Sequence, residues 1–234
     1  MSIINCLWEL KRLETLFEKN VQIIMDNEVK KFKVREISPM KKSGYEFLKR
    51  TFDILASFVV LVILLIPLVI VSVFIMADSK GGAIFKQERL GKNGKQFTLY
   101  KFRTMRLDAE KDGAQWASEN DDRCTRVGKI LRASRIDEFP QLINIIKGDM
   151  SIVGPRPERA CFYDEFDEYI DGFRQRLYVT PGLTGLAQIN GGYDLKPEEK
   201  IVYDLEYIEK RNFWFDIKII FQTVAIVFNH DGAR

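Results

Sequence analysis

Histidine is nearly missing from this chain of 234 residues; the only one is His230. A mechanism resting on a histidine general base or a His-ligated zinc therefore has almost no material to work with. Cysteine is scarce too: Cys6, Cys124 and Cys161 are widely spaced and form no CxxC. That pattern suits a reducing compartment and encodes neither a disulfide framework nor a thiolate metal site. The P-loop, the paired-glycine dinucleotide signature and HExxH are all absent, which removes the common NTPase, dinucleotide and zincin readings. There is no internal repeat, no low-complexity tract and no excess of one charge. The 36 basic and 33 acidic residues leave a net charge of +3, which argues against bulk nucleic-acid binding. What is there is a chain of one-domain length, 46% hydrophobic and able to build a core, in which carboxylates must carry any chemistry.

One segment dominates. From Ile54 to Ala77 the sequence reads ILASFVVLVILLIPLVIVSVFIMA, without a charge. About 20 apolar residues suffice to cross the hydrocarbon core, so this run qualifies by length. It starts too far into the chain and lacks the small-residue cleavage site of a signal peptide. Lys41, Lys42, Lys49 and Arg50 precede it; Lys80, Lys86, Arg89, Lys92 and Lys95 follow. A spanning helix should carry its positive charge on one flank, the cytoplasmic one. With both flanks basic and Pro67 past the middle, the segment is expected to re-enter the face it left, as a hairpin broken at Pro67.

Before it, Ile3, Leu7, Leu10 and Phe17 form an apolar stripe that predicts an amphipathic helix lying on the membrane or on the main domain. KKFKVRE (30–36) reads as a linker. After it, 83–105 reads as a β-hairpin around Asn93-Gly94, a strong turn signal. VGKILRA (127–133) and the stretch from Pro140 to Gly148 have helical spacing. VTPGLTGLAQINGG (179–192), rich in turn residues, reads as an ordered surface loop. Residues 203–229 are helical in period, and Phe213, Trp214 and Phe215 suit either a membrane-interface helix or packing on the domain.

The adjacent acids Asp137 and Glu138 stand just before Pro140, at a predicted helix start. In a regular strand or helix they would diverge, but at a helix entrance both can converge on one site. Exposed N–H groups there also favour carboxylates and phosphates. The alternative is ordinary capping, since Ser134-x-x-Asp137 fits a capping box. Arg132 and Arg135 lie upstream. Downstream, Arg156 is stiffened between Pro155 and Pro157. A guanidinium so held suits a phosphate, a carboxylate or a planar base, or else a structural ion pair. Asp149 and Glu158 add acids beside a candidate Mg²⁺ site. Carboxylates, arginines and a membrane anchor together point to phosphoryl chemistry at a bilayer surface.

KRTFDILAS (49–57), the apolar run with Pro67, and FKQERLGKNGKQFTLYKFRTM (85–105) resemble the bacterial sugar transferases, the monotopic phosphoglycosyl transferases. DRCTRVGKILRASRIDEFPQLINIIKGDMSIVGPRP (122–157), PGLTGLAQING (181–191) and YDLEYIEKRNFWFDIKI (203–219) continue the likeness in order. Extra N-terminal membrane helices of the larger members are not in this sequence, which therefore resembles the small form. The family's Ser-Pro at the helix break is Ile66-Pro67 here, without the serine's help for unpaired carbonyls. The resemblance implies an α+β (α/β-like) fold. In it a re-entrant membrane helix-hairpin (47–80) follows an N-terminal amphipathic extension (1–46). A catalytic domain (81–234) then places a small sheet among short helices on the cytoplasmic face of the cell membrane.

It also implies a ping-pong transfer. Asp137 attacks the sugar-linked phosphorus of a UDP-sugar, UMP leaves, and polyprenyl (undecaprenyl) phosphate takes the phosphosugar with retained anomeric configuration. Glu138 and Asp137 are expected to bind Mg²⁺, while Arg132, Arg156, Lys49 and Arg50 bind substrate. The partners implied are the UDP-sugar, the polyprenyl phosphate and membrane lipid, with no nucleic acid; a homo-oligomer is left open. A Mg²⁺-dependent phosphohydrolase using the same acids, and a non-catalytic membrane scaffold, are the competing readings.

Overall fold

The computed structural model describes residues 3–26, 29–38, 42–111, 121–192 and 195–229. Helix α1 (Ile3–Asn20) leads into the antiparallel pair β1 (Val21–Asp26) and β2 (Val29–Val34). Leu13, Leu16 and Phe17 of α1 pack against the main core. The side chains of Ile3, Leu7 and Leu10, the rest of the expected stripe, lie outside the described part. Residues 30–36, expected to be a linker, are largely strand. β2 runs parallel to β6 (Ile170–Asp171), with Phe32 opposite Ile170; it buries Phe32 and Val34, and Ile37 just after it is buried too. Alternating Phe32 and Val34 put two apolar side chains on one face, and that face finds the core.

Helix α2 (Ser43–Asp78) continues without interruption through Pro67. The expected break is thus a proline inside one helix, not a loop between two. Its fixed φ fits the helix, and the cost is the missing donor to the carbonyl of Ile63. Asp53, Ser57, Val60, Leu61, Leu68, Val71 and Ile75 recur at helical spacing and face the domain. The other faces stay bare: Phe58, Val62, Ile66, Val69 and Val73 are all more than half exposed. By length and composition α2 is able to enter a membrane.

Both ends of α2 are fastened to the same domain. At its head, Tyr45 and Lys49 reach Asp216 (both 2.8 Å), Arg50 donates to the carbonyls of Ile145 (2.5 Å) and Ile146 (2.7 Å), and Asp53 accepts from Ile152 N (3.1 Å). At its tail, Asp78 accepts from Val127 N (3.1 Å), and the Arg103 guanidinium caps the last carbonyls, including those of Ser79 (2.8 Å) and Lys80. A basic side chain there neutralises the negative end of the helix.

The hairpin β3 (Ile84–Leu90) and β4 (Gln96–Phe102) follows, turning where Asn93 (φ 58°) and Gly94 (φ 75°) adopt left-handed backbone. Then come α3 (Arg126–Ala133), N-capped by Thr125, and α4 (Gln141–Lys147), stopped by Gly148 in the left-handed region. β5 (Ser151–Val153) and α5 (Ala160–Asp167) lead to β6. β5 pairs in parallel with β7 (Gly182–Thr184), and α6 (Leu186–Ile189), α7 (Pro197–Lys210) and α8 (Phe213–Asn229) complete the chain.

The 179–192 stretch is therefore no surface loop: Val179, Leu186 and Ala187 belong to the main core. Its glycines permit a close backbone approach, since a Cβ on Gly182 would meet the Gly154 nitrogen at 2.1 Å. α7 forms the centre of the core, burying Ile201, Val202, Tyr203, Leu205 and Ile208. On α8, Ile219 is buried while Trp214 and Phe221 are 76% and 70% exposed, an apolar face with no cover among the described residues.

Candidate active site

Asp137 and Glu138 occupy a single 3-10 turn, Ile136–Glu138, between α3 and α4. Ser134 does not cap this turn. Its Oγ donates back to the carbonyls of Ile130 (2.9 Å) and Leu131 (3.2 Å), closing α3, so the capping-box reading is not realised. The turn is instead entered by Arg135 in left-handed conformation (φ 56°). A non-glycine residue held there costs of order 1 kcal/mol or more and persists where its surroundings demand it. In a 3-10 turn consecutive side chains diverge by about 120°, which gives the two acids different surroundings.

Those surroundings are opposite in kind. Glu138 is clamped: Arg156 Nη2 donates to its Oε1 at 2.6 Å, Nη1 reaches Oε2 at 3.4 Å, and Lys101 Nζ reaches Oε1 at 3.3 Å. Burial works to raise its pKa, but Arg156 and Lys101 outweigh it and hold the carboxyl well below its ordinary range. Asp137, 8% exposed, accepts no hydrogen bond from any described residue. Burial pushes its pKa up to about 6; Lys101 opposes that shift and the charge on Glu138 adds to it. One acid is locked in the charged form, and the other is left without a partner. Carboxylates whose pKa values are driven apart mark divided chemical roles.

Arg156 is held as stiffly as its flanking prolines suggest. Four successive carbonyls of its loop are all engaged. Pro155 accepts from Gly182 N (2.9 Å), Arg156 from Arg176 Nη2 (3.0 Å), Pro157 from Arg89 Nη1 (3.2 Å), and Glu158 from Leu90 N (3.1 Å). Behind it, Arg176 and Asp204 form a buried ion pair at 2.6 Å, with Arg176 over the Phe173 ring at 4.8 Å. Arg132 donates to Thr104 Oγ1 (3.1 Å), which turns its side chain along the same wall. α3 can come this close because Gly128 has no side chain; a Cβ there would meet the Thr104 carbonyl at 2.0 Å.

These residues border a cleft of about 440 Å³, in which basic side chains outnumber acidic ones. Asp137, Glu138, Arg132 and Arg156 all border it. Lys49 and Arg50 do not. They border a separate hollow of about 110 Å³ at the head of α2, where Lys49 is paired with Asp216 and Arg50 closes the end of α4. Glu158 reaches the cleft but is bound to Arg89 (3.1 Å), and Asp149 does not border it.

Sequence reasoning missed Lys101, Arg89, Arg176 and Lys200, all on the cleft. The one local signal was Lys101, a charge set among Phe97, Leu99 and Phe102 in β4. Lys200 is 9% exposed, and burial lowers its pKa.

No cluster of three or more His, Cys, Asp or Glu side chains exists among the described residues, so a cation caged by protein alone does not fit. A hard cation shared between one or two carboxylates and a substrate diphosphate does fit the pair, because Asp137 keeps both oxygens unused. The arrangement is suited to phosphate: a basic cleft, a free carboxylate able to attack, and a second carboxylate fixed beside it.

The profile of the bacterial sugar transferases matches residues 44–230. The chain is 43% identical over 194 residues to a UDP-N-acetylgalactosamine-undecaprenyl-phosphate N-acetylgalactosaminephosphotransferase of Aeromonas hydrophila, covering 81% of this chain and 46% of that protein. It is 35% identical over 233 residues to an undecaprenyl-phosphate galactose phosphotransferase of Salmonella typhimurium, covering 93% and 48%. It is 36% identical over 205 residues to a UDP-glucose:undecaprenyl-phosphate glucose-1-phosphate transferase of Caulobacter vibrioides, covering 86% and 77%. The chain thus spans about half the length of the first two relatives.

Proposed function

Because the chain belongs to the bacterial sugar transferase family, we propose that it moves a sugar phosphate from a UDP-sugar to undecaprenyl phosphate, releasing UMP. The observation that carries this reading is the unequal pair: Asp137 buried and unpartnered, Glu138 clamped by Arg156 and Lys101.

In the first half-reaction an ionised Asp137 oxygen attacks the phosphorus that bears the sugar. The bond from that phosphorus to the UMP oxygen breaks, and UMP departs with the electron pair. The product is a phosphosugar ester of Asp137. In the second half-reaction an oxygen of the lipid phosphate attacks the same phosphorus, and the carboxylate leaves. The sugar's anomeric bond is never broken, so its configuration is retained. Splitting one transfer into two displacements is what a carboxylate nucleophile provides. Lys101, Arg132 and Arg156 offset the phosphate charge throughout, and their fixed partners spare reorganisation at each step. Asp137 and Glu138, together with the substrate diphosphate, would hold Mg²⁺, which when bound withdraws charge from the phosphates.

The bare apolar faces of α2 and α8 seat the domain on the bilayer. With both ends of α2 fastened to one domain, both flanks of the apolar segment lie on the same side of the bilayer. Basic residues on both flanks make that side the cytoplasmic one.

The test is UMP release from purified UDP-sugars with and without undecaprenyl phosphate. The named relatives point to N-acetylgalactosamine, galactose and glucose as the sugars of the first UDP donors to try. Catalytic UMP release that needs the lipid, together with one phosphosugar trapped on Asp137 when the lipid is left out, is the expected result. Steady release without lipid would make the protein a hydrolase. An adduct on Glu138 would exchange the two roles.

A further inference from the structure

The cleft changes character along its length. β3 presents Phe85, Gln87 and Arg89 to it at a spacing of two residues, one face of a strand. From Gln87 inward that face is polar and engaged: Gln87 donates to Glu110 (3.1 Å), Arg89 donates to Gln87 (2.5 Å), and Arg89 also binds Glu158. Phe85 is the apolar end. It stands opposite Lys101 in the hairpin register, and Lys101 reaches Glu138. One residue pair therefore joins an exposed ring to the reacting acids.

Leu107 borders the same mouth and is 72% exposed. It lies beside the turn that follows α2, where a Cβ on Gly81 would meet Leu107 Cδ2 at 3.1 Å. On the α2 side, Val73, Phe74 and Met76 are exposed on the last turns of the helix. Apolar side chains thus stand at the tail of α2 and again at Leu107, against Gly81, and at Phe85, just where the basic lining of the cleft begins. A soluble nucleotide sugar has no use for such an apolar mouth. A ligand that is a hydrocarbon chain at one end and a phosphate at the other matches it in order.

We propose that Phe85 and Leu107 form the portal for the isoprenoid chain of the lipid phosphate. The first isoprene units lie between these two side chains, and the phosphate reaches Asp137 from that side. The assignment rests on the transferase reading and adds to it the route by which the lipid arrives. Neither residue touches the reacting atoms; both act on where the acceptor lies.

The experiment uses the full chain in lipid nanodiscs with a UDP-sugar that the wild type turns over. Two quantities are read: UMP released in one turnover without acceptor, and the acceptor KM for undecaprenyl phosphate and for a short, water-soluble isoprenyl phosphate. Phe85→Ser and Leu107→Ser should leave the single-turnover burst unchanged. They should raise the KM for the long acceptor about fivefold to tenfold, with little change for the short one. Phe85→Leu and Leu107→Met, which keep the apolar surface, should behave as wild type. Both side chains are exposed, so the fold should tolerate all four changes. An unchanged ratio of long-chain to short-chain KM in both serine variants overturns the portal, as does a burst that falls in step with acceptor use. Failure of the transferase reading looks different: the wild type itself then shows no burst with any donor.

Discussion

Two buried clusters of acids and cations lie on either side of α4, and they differ in one respect. At the head of α2, both oxygens of Asp216 accept hydrogen bonds. Tyr45 and Lys49 donate to Oδ2 at 2.8 Å, and Tyr207 donates to Oδ1 at 2.9 Å. Burial and the Asp216 charge drive the pKa of both tyrosines well above the ordinary range, so they stay neutral donors. In the cleft, the cations are spent on Glu138 and Asp137 receives nothing. A satisfied polar network fixes structure, while an unsatisfied buried group stores free energy that a substrate can recover. Charge and burial alone do not separate the two clusters; the count of unused lone pairs does.

The sharpest way to break this comparison is to alter both aspartates and read both activity and stability. Asp137→Asn keeps the shape and removes the oxygen proposed to attack. Turnover and covalent adduct should fall together by about a thousandfold or more, as losses of a nucleophile do. Residual turnover within tenfold of wild type would place the nucleophile elsewhere.

Asp216→Ala should do the reverse. It strands the Lys49 ammonium and takes the carboxylate acceptor from Tyr45 and Tyr207, and breaking a buried pair costs about 3–5 kcal/mol of stability. The protein that remains folded should still form its adduct at the normal rate. A large loss of adduct per folded molecule would make the α2 head part of the reacting site.

Next in size is Arg156→Lys. One ammonium cannot reproduce the two-pronged clamp on Glu138, so turnover should drop about tenfold to a hundredfold while folding is kept. Steady-state rates and a thermal melt on the same preparation check both halves of that statement.

The smallest effect concerns pH. The Asp137 pKa is raised by folding from 3.8 to about 6. Its stabilising contribution is therefore complete below about pH 4 and lost as pH rises through 6. Asp137→Asn should then be the more stable protein at pH 8, by about 1–3 kcal/mol, and the gain should vanish near pH 4. In the wild type, kcat/KM for the donor should fall on the acid side near pH 6 rather than near pH 4, since this limb reports the free enzyme. Denaturant melts at the two pH values, and a pH series for single-turnover UMP release, measure these shifts. Equal stability of the two proteins at pH 8 would mean that Asp137 is not strained by burial.

Much of the fold was legible because its cues are local. The Asn93-Gly94 turn, the stop at Gly148 and the apolar run of α2 each depend on a few neighbouring residues, and each lies where the pattern put it. Residues 30–36 and 179–192 were misread because their character comes from distant partners. Lys31 and Lys33 disguise a strand whose alternate residues Phe32 and Val34 dock beside Ile170. The glycines at 182 and 185 resemble a loop until Gly154 packs against them.

The site divides along the same line. The sequence by itself determined the adjacent acids, the proline-braced Arg156 and the long apolar helix, since covalent neighbours and side-chain periodicity need no third partner. Only the tertiary structure decided that Lys101 and Arg156 clamp Glu138 and leave Asp137 free, that Arg176 braces the Arg156 loop from below, and that Lys49 and Arg50 serve the seating of α2 rather than the cleft. A charged side chain has many candidates for partner along a chain, and which one it meets depends on contacts closed across tens of residues. In this protein those contacts clamp one carboxylate and leave its neighbour without a partner.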